Sequence, residues 1–154
     1  MLADPADAPA PLRELAALWE TRRAGRAMPA RGDLPTEDLR PWLSRINMVE
    51  PVGDDFRYIV FGTAIAELIR RDWTGHLLSE MVPADTGAAI AAMFRRAVET
   101  RSPLWFWTPP RDFEGRQFAW WRVVLPLGAG DAVERLMVGV QEENPRGRAP
   151  PPRR

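Results

Sequence analysis

The chain contains no cysteine and a single histidine, His76, among its 154 residues. That excludes disulfides, thiol nucleophiles and zinc sites of the Cys/His kind. No metal site is assigned. Lysine is absent too: all 21 basic residues are arginine, and 21 acidic residues balance them. With no net field to draw the molecule toward phosphate polymers, nucleic acid is not expected as a partner. No run approaches the roughly 18 uncharged apolar residues of a membrane span. Met1-Leu2-Ala3-Asp4-Pro5 lacks the basic and apolar regions of a signal peptide, so a cytoplasmic location is expected. Serine occurs only as Ser44, Ser79 and Ser102, none in a nucleophile elbow, and His76 has no evident acid partner. No catalytic residue is assigned.

What is present suits one globular domain, with 45% hydrophobic and 27% charged residues. Residues 1–11 are mostly Ala, Pro and Asp, residues 145–154 are mostly Pro and Arg, and both read as flexible tails. Residues 12–43 read as a helical lead-in. Leu12, Leu15, Ala16 and Trp19 form an apolar stripe, and Gly25 follows the helix end. Thr36 is placed to cap a short helix that Pro41 ends or bends. Residues 44–144 read as the main domain. It opens with a hairpin of residues 46–52 and 56–61 around Gly53-Asp54-Asp55, with Phe56, Tyr58 and Val60 on one face and Arg57, Ile59 and Phe61 on the other. Helices are predicted after Thr63, after Thr74-Gly75, and from Asp85 and Thr86 onward. In the last, Ile90, Met93, Phe94, Ala97 and Val98 recur at helical spacing. Strands follow over residues 104–108, 117–125 and 134–142. Their connections are residues 109–115, rich in proline and charge, and Gly128-Ala129-Gly130-Asp131. The expected architecture is α+β, a five-stranded antiparallel sheet with helices on one face.

Three stretches carry a family likeness: Trp19-x-x-x-Arg23-x-Gly25-Arg26-Ala27-Met28-Pro29-Ala30-Arg31-x-Asp33, Asp55-Phe56-Arg57-Tyr58-x-x-x-Gly62-Thr63, and Arg71-Asp72-x-Thr74-Gly75. Their order and spacing over residues 12–142 resemble a branch of short bacterial PAS-domain proteins. The resemblance implies a sensory or adaptor module of bacterial signal transduction, with a small pocket between helices and sheet. The cysteine that forms a flavin adduct or anchors a chromophore in other PAS sensors is missing. The haem-ligating histidine of the long helix is missing as well, and His76 reads as a surface residue; no cofactor is expected. Nothing within the 154 residues makes a phosphotransfer or cyclase site, so a signal is expected to leave by contact with a partner such as a kinase or a regulator. A small cone-shaped α+β enzyme acting on a metabolite is the alternative, which its sheet order and a pocket acid of raised pKa would distinguish.

The pocket so implied is expected between the helix bearing Met93 and Phe94, strand residues Tyr58 and Val60, and one ring from each pair of Trp105/Trp107 and Trp120/Trp121, with Trp73 at its mouth. Trp107 and Trp121 are the rings assigned to it. Arg57 or Arg122 would orient a small apolar or weakly anionic ligand. Asp72 would pair with Arg57 or cap the short helix. Alternation leaves at least one Trp per strand on the outer face, which in this fold a lead-in helix or a second subunit covers. The stripe of Leu12, Leu15 and Trp19 must itself be buried, and a homodimer through it is expected.

Overall fold

The computed structural model describes residues 1–113 and 116–143, apart from the side chains of residues 111–117. The expected tail of residues 145–154 lies outside the described residues. Five antiparallel strands, β1 (Ile46–Val52), β2 (Asp55–Val60), β3 (Leu104–Phe113), β4 (Arg116–Ala129) and β5 (Ala132–Glu143), form one sheet in the order β2-β1-β5-β4-β3. Among the described residues three α-helices accompany it: α1 (Ala10–Arg23), α2 (Thr63–Ile69) and α3 (Ala84–Thr100). The class is α+β and PAS-like, as expected.

The sheet is covered on both faces. Phe56 and Tyr58 of β2, Phe106 of β3, Trp120 and Val124 of β4, and Leu136, Val138 and Val140 of β5 pack toward α2 and α3. Their alternate neighbours Trp105, Trp121, Val123, Leu125 and Met137 form a second core with Leu12, Leu15 and Trp19 of α1. The expected interface stripe is therefore spent inside the chain. Leu15 is fully buried, the Trp19 indole N–H donates to the Pro126 carbonyl at 2.7 Å, and Gly139 of β5 lies directly beneath Leu12 and Leu15. Burying each of these side chains contributes roughly 1.5–3 kcal/mol, which a dimer through the same stripe would have to give up.

The lead-in continues from α1 through a 3-10 stretch, Thr36–Arg45, that contains Pro41 and begins after Pro35 rather than on a Thr36 cap. Pro41 has no N–H to donate, yet the 3-10 stretch runs through it to Arg45 rather than ending there. Arg45 grips Glu142 through both terminal guanidinium nitrogens, Nη1 and Nη2, tying this stretch to β5.

The first residues are also held, contrary to the flexible tail expected over 1–11. Ala3 N–H donates to the Trp105 carbonyl at 2.9 Å, the Met1 carbonyl accepts from Trp107 N–H at 3.0 Å, and a 3-10 turn, Pro5–Asp7, leads into α1. Composition alone argued for disorder, but the edge of β3 presents backbone groups that need partners, and this segment supplies them.

Two irregularities alter the faces read from alternation. The β1/β2 register shifts between Met48 and Val49, leaving one residue, Ile59, extra on β2. Beyond this bulge the parity inverts, so Val60 points outward at 49% exposure while Phe61 enters the core. On β3, Pro109 and Pro110 sit at a register shift between Thr108 and Arg111, and the strand runs on through Phe113 where a turn was expected. A bulge on an edge strand is where a sheet tolerates proline.

Candidate functional site

Between the sheet and the helices α2 and α3 lies a cavity of about 150 Å³. Its walls are largely apolar, supplied by Phe61, Ile65, Ile69, Met81, Ile90 and Val140, with the rings of Trp73 and Trp120. The polar groups reaching it are Asn47, Tyr58, Arg71, Thr86 and Arg122, and among the described residues no aspartate or glutamate lines it. Nor do three of His, Asp and Glu converge anywhere among the described residues, as a metal centre would need.

Each polar group has a local reason for its position. Asn47 faces the helices from β1, and its side-chain oxygen accepts from Gly62 N–H at 2.9 Å, fixing the chain where β2 turns into α2. A side chain at Gly62 would come within 2.5 Å of the Ser44 carbonyl, so only glycine permits that close approach. Tyr58 anchors the far edge of the sheet. Its N–H donates to the His76 carbonyl at 3.1 Å, and its carbonyl accepts from Gly75 N–H at 2.7 Å, which carries residues 73–77 alongside β2 as the cavity rim. At Gly75 φ is +83°, a conformation that favours glycine. Asp72 stabilises the same rim by accepting from Thr74 N–H at 2.9 Å and Thr74 Oγ1 at 2.6 Å. Those two bonds hold its carboxyl below the usual carboxylate value. It neither pairs with Arg57 nor caps a helix.

Burial pushes the Tyr58 hydroxyl up to about 12, against a smaller opposing pull from Arg122. The Arg122 guanidinium is pushed down by burial, yet an arginine remains a cation at neutral pH. Arg122 lies on β4 between Trp120 and Val124, on the face turned to the helices, and its Nη1 donates to Thr108 Oγ1 at 3.0 Å. Arg71 stands at the mouth with its guanidinium 4.0 Å from the Trp73 ring centroid, an arrangement in which the indole face steadies the cation.

Of the residues expected at the pocket, the structure brings together Tyr58, Trp73 and Arg122. The others fall elsewhere. Val60 is turned outward by the bulge. Phe94 is buried against Phe56, ring centroids 5.5 Å apart and nearly perpendicular, and Met93 packs beside it without reaching the cavity. Trp107 and Trp121 belong to the α1 side of the sheet, so the β4 ring at the cavity is Trp120. Arg57 lies on the outer face and pairs with Glu50 at 3.5 Å. Phe61, Ile65, Met81 and Ile90 were missed as cavity residues, although their helical and strand spacing was visible. His76 is half-exposed, with Nδ1 3.5 Å from Glu80 Oε2 and its ring edge-on to Trp73.

A second hollow, of about 200 Å³, opens between α1 and the 3-10 stretch beside Leu12, Trp42 and Arg45. Among the described residues its one charged group is Arg45, already taken by Glu142, so these residues offer a ligand no unspent charge.

No helix among the described residues is long and apolar enough to cross a membrane. Among curated proteins none matches the sequence. The sequence model of the family described as PAS domain matches residues 8–141, which takes in α1, the whole sheet up to Gln141 and every residue lining the cavity. The chain belongs to the PAS domain family.

Proposed function

We propose that this protein is a cytoplasmic sensory or adaptor module of signal transduction that binds a small molecule in the cavity between sheet and helices and passes the signal by contact with a partner such as a kinase or regulator. PAS domains serve in general as sensory or signalling modules rather than as enzymes. The observation that carries the ligand reading is the cavity itself. It measures about 150 Å³, opens at a mouth beside Arg71 and is walled by apolar groups with a few convergent polar ones, the usual make-up of a ligand site. With no cysteine in the chain, attachment through a thiol is excluded.

Native mass spectrometry of the protein purified under non-denaturing conditions, followed by tryptophan-fluorescence titration with whatever co-purifies, tests this. A reproducible bound mass, lost in Tyr58→Ala while the far-ultraviolet circular dichroism is retained, is the expected result. If the protein carries no bound mass and no member of a small-metabolite panel shifts its Tm, sensing by ligand is wrong and a docking role alone remains.

A further inference from the structure

We propose that the cavity takes a small monocarboxylate with a compact apolar body, its carboxylate held by Arg122 from the sheet and by Arg71 at the mouth. This deepens the ligand-binding reading above and rests on it. Arg57 and Arg135 both reach Glu50, at 3.5 and 2.6 Å. Arg122 departs from that pattern. It is set on the buried face of β4, its hydrogen-bond partner is the neutral hydroxyl of Thr108, and among the described residues no carboxylate neutralises it.

Arg122 is half-buried, and even partial removal of a cation from water without a counter-charge is costly; the fork of a guanidinium also has more N–H groups than Thr108 can satisfy. Those groups face a cavity that holds no acid among the described residues and has a second cation, Arg71, at its rim. Two cations and no anion around one cavity select a negative ligand. A planar carboxylate matches the guanidinium fork in bidentate fashion.

The rest of the cavity sets the remainder of the ligand. Apolar walls from Phe61, Ile65, Met81, Trp73 and Trp120 leave little to hydrate a doubly charged phosphate ester. A cavity near 150 Å³ accommodates a ring about the size of benzene. Tyr58, whose hydroxyl stays protonated far above neutral pH, adds a donor rather than a competing charge.

Wild-type protein is titrated by calorimetry and tryptophan fluorescence with benzoate, phenylacetate and isovalerate, each beside its neutral amide, and with inorganic phosphate. At least one acid is expected to bind about tenfold or more tightly than its amide, a factor in keeping with one charge-assisted hydrogen-bond pair. Arg122→Gln should erase that preference, and Arg71→Gln should weaken it less because that side chain is solvated. The comparison of acids with amides needs no variant and stands even if Arg122→Gln fails to fold. Amides binding as tightly as acids would overturn the anionic assignment and leave ligand sensing intact. Phosphate binding more tightly than every acid would overturn the carboxylate class. Failure of acids, amides and phosphate alike would overturn this inference; the survey of co-purifying masses then decides independently whether the ligand-binding reading falls with it.

Discussion

Tyr58 is the only tyrosine in the chain, so its ionisation can be followed without assignment. Burial raises its pKa from 10.0 to about 12. The folded state thus favours the neutral phenol. A group whose pKa rises on folding contributes stability that is complete below the unfolded value and lost as pH climbs through the folded one. The urea midpoint of the wild type should therefore fall between pH 10 and about 12, with tyrosinate absorbance appearing late in that window. Tyr58→Phe should lack this component of the fall. Equal slopes for the two proteins would mean the hydroxyl is solvated. The neighbouring Arg122 shows how far single residues could be read in advance. Its type announced an anion contact, but it was grouped with Trp121 when the parity of β4 sets it beside Trp120, and nothing local distinguished it from Arg57, whose partner Glu50 stands on a different strand.

At the level of elements, α3 approaches the 3-10 turn Leu78–Glu80 so closely that a Cβ on Gly87 would lie 2.4 Å from the Leu78 carbonyl and 3.1 Å from Met81 Cβ. The contact is with backbone, which cannot rotate away. Gly87→Ala should cost about 1–3 kcal/mol by overpacking, read from urea denaturation, and should weaken any cavity ligand because Met81 is a wall residue. An unchanged midpoint would show that the turn shifts freely. Such close approaches leave no mark beyond a glycine inside a helical pattern. Other elements were plain in the sequence. Gly53-Asp54-Asp55 announced the hairpin, and the run from Ile90 to Val98 announced α3, because turn chemistry and helical period are local signals. The bulges at Ile59 and at Pro109-Pro110 are set by pairing with other strands, so alternation misplaced Val60, and the two prolines were read as a turn. Trp120 and Trp121 pose the same difficulty in its sharpest form: one residue decides which core a ring enters.

Across the whole molecule, the two cores divide the sheet into a cavity side and an α1 side, and the N-terminal segment closes the β3 edge. Met1 and Ala3 occupy backbone groups of Trp107 and Trp105. Deleting residues 2–7 should lower stability by about 1–3 kcal/mol and open a template for strand pairing, visible as concentration-dependent association in light scattering. A truncated chain that stays monomeric at high concentration would show that the edge needs no cover. The same deletion leaves the cavity untouched, because no residue before Asn47 lines it. Ligand affinity should then be preserved.

The bond from the Trp19 indole to the Pro126 carbonyl joins residues 107 positions apart. It bears on the order in which the protein can be made. During synthesis α1 emerges with Leu12, Leu15 and Trp19 exposed, and the surface that receives them, on β4 and β5, leaves the ribosome only after α2, α3 and the first three strands. The outer layer therefore closes only when nearly the whole sheet exists. Until then the nascent chain presents a helix whose apolar stripe has no partner, the kind of segment that holdase chaperones bind.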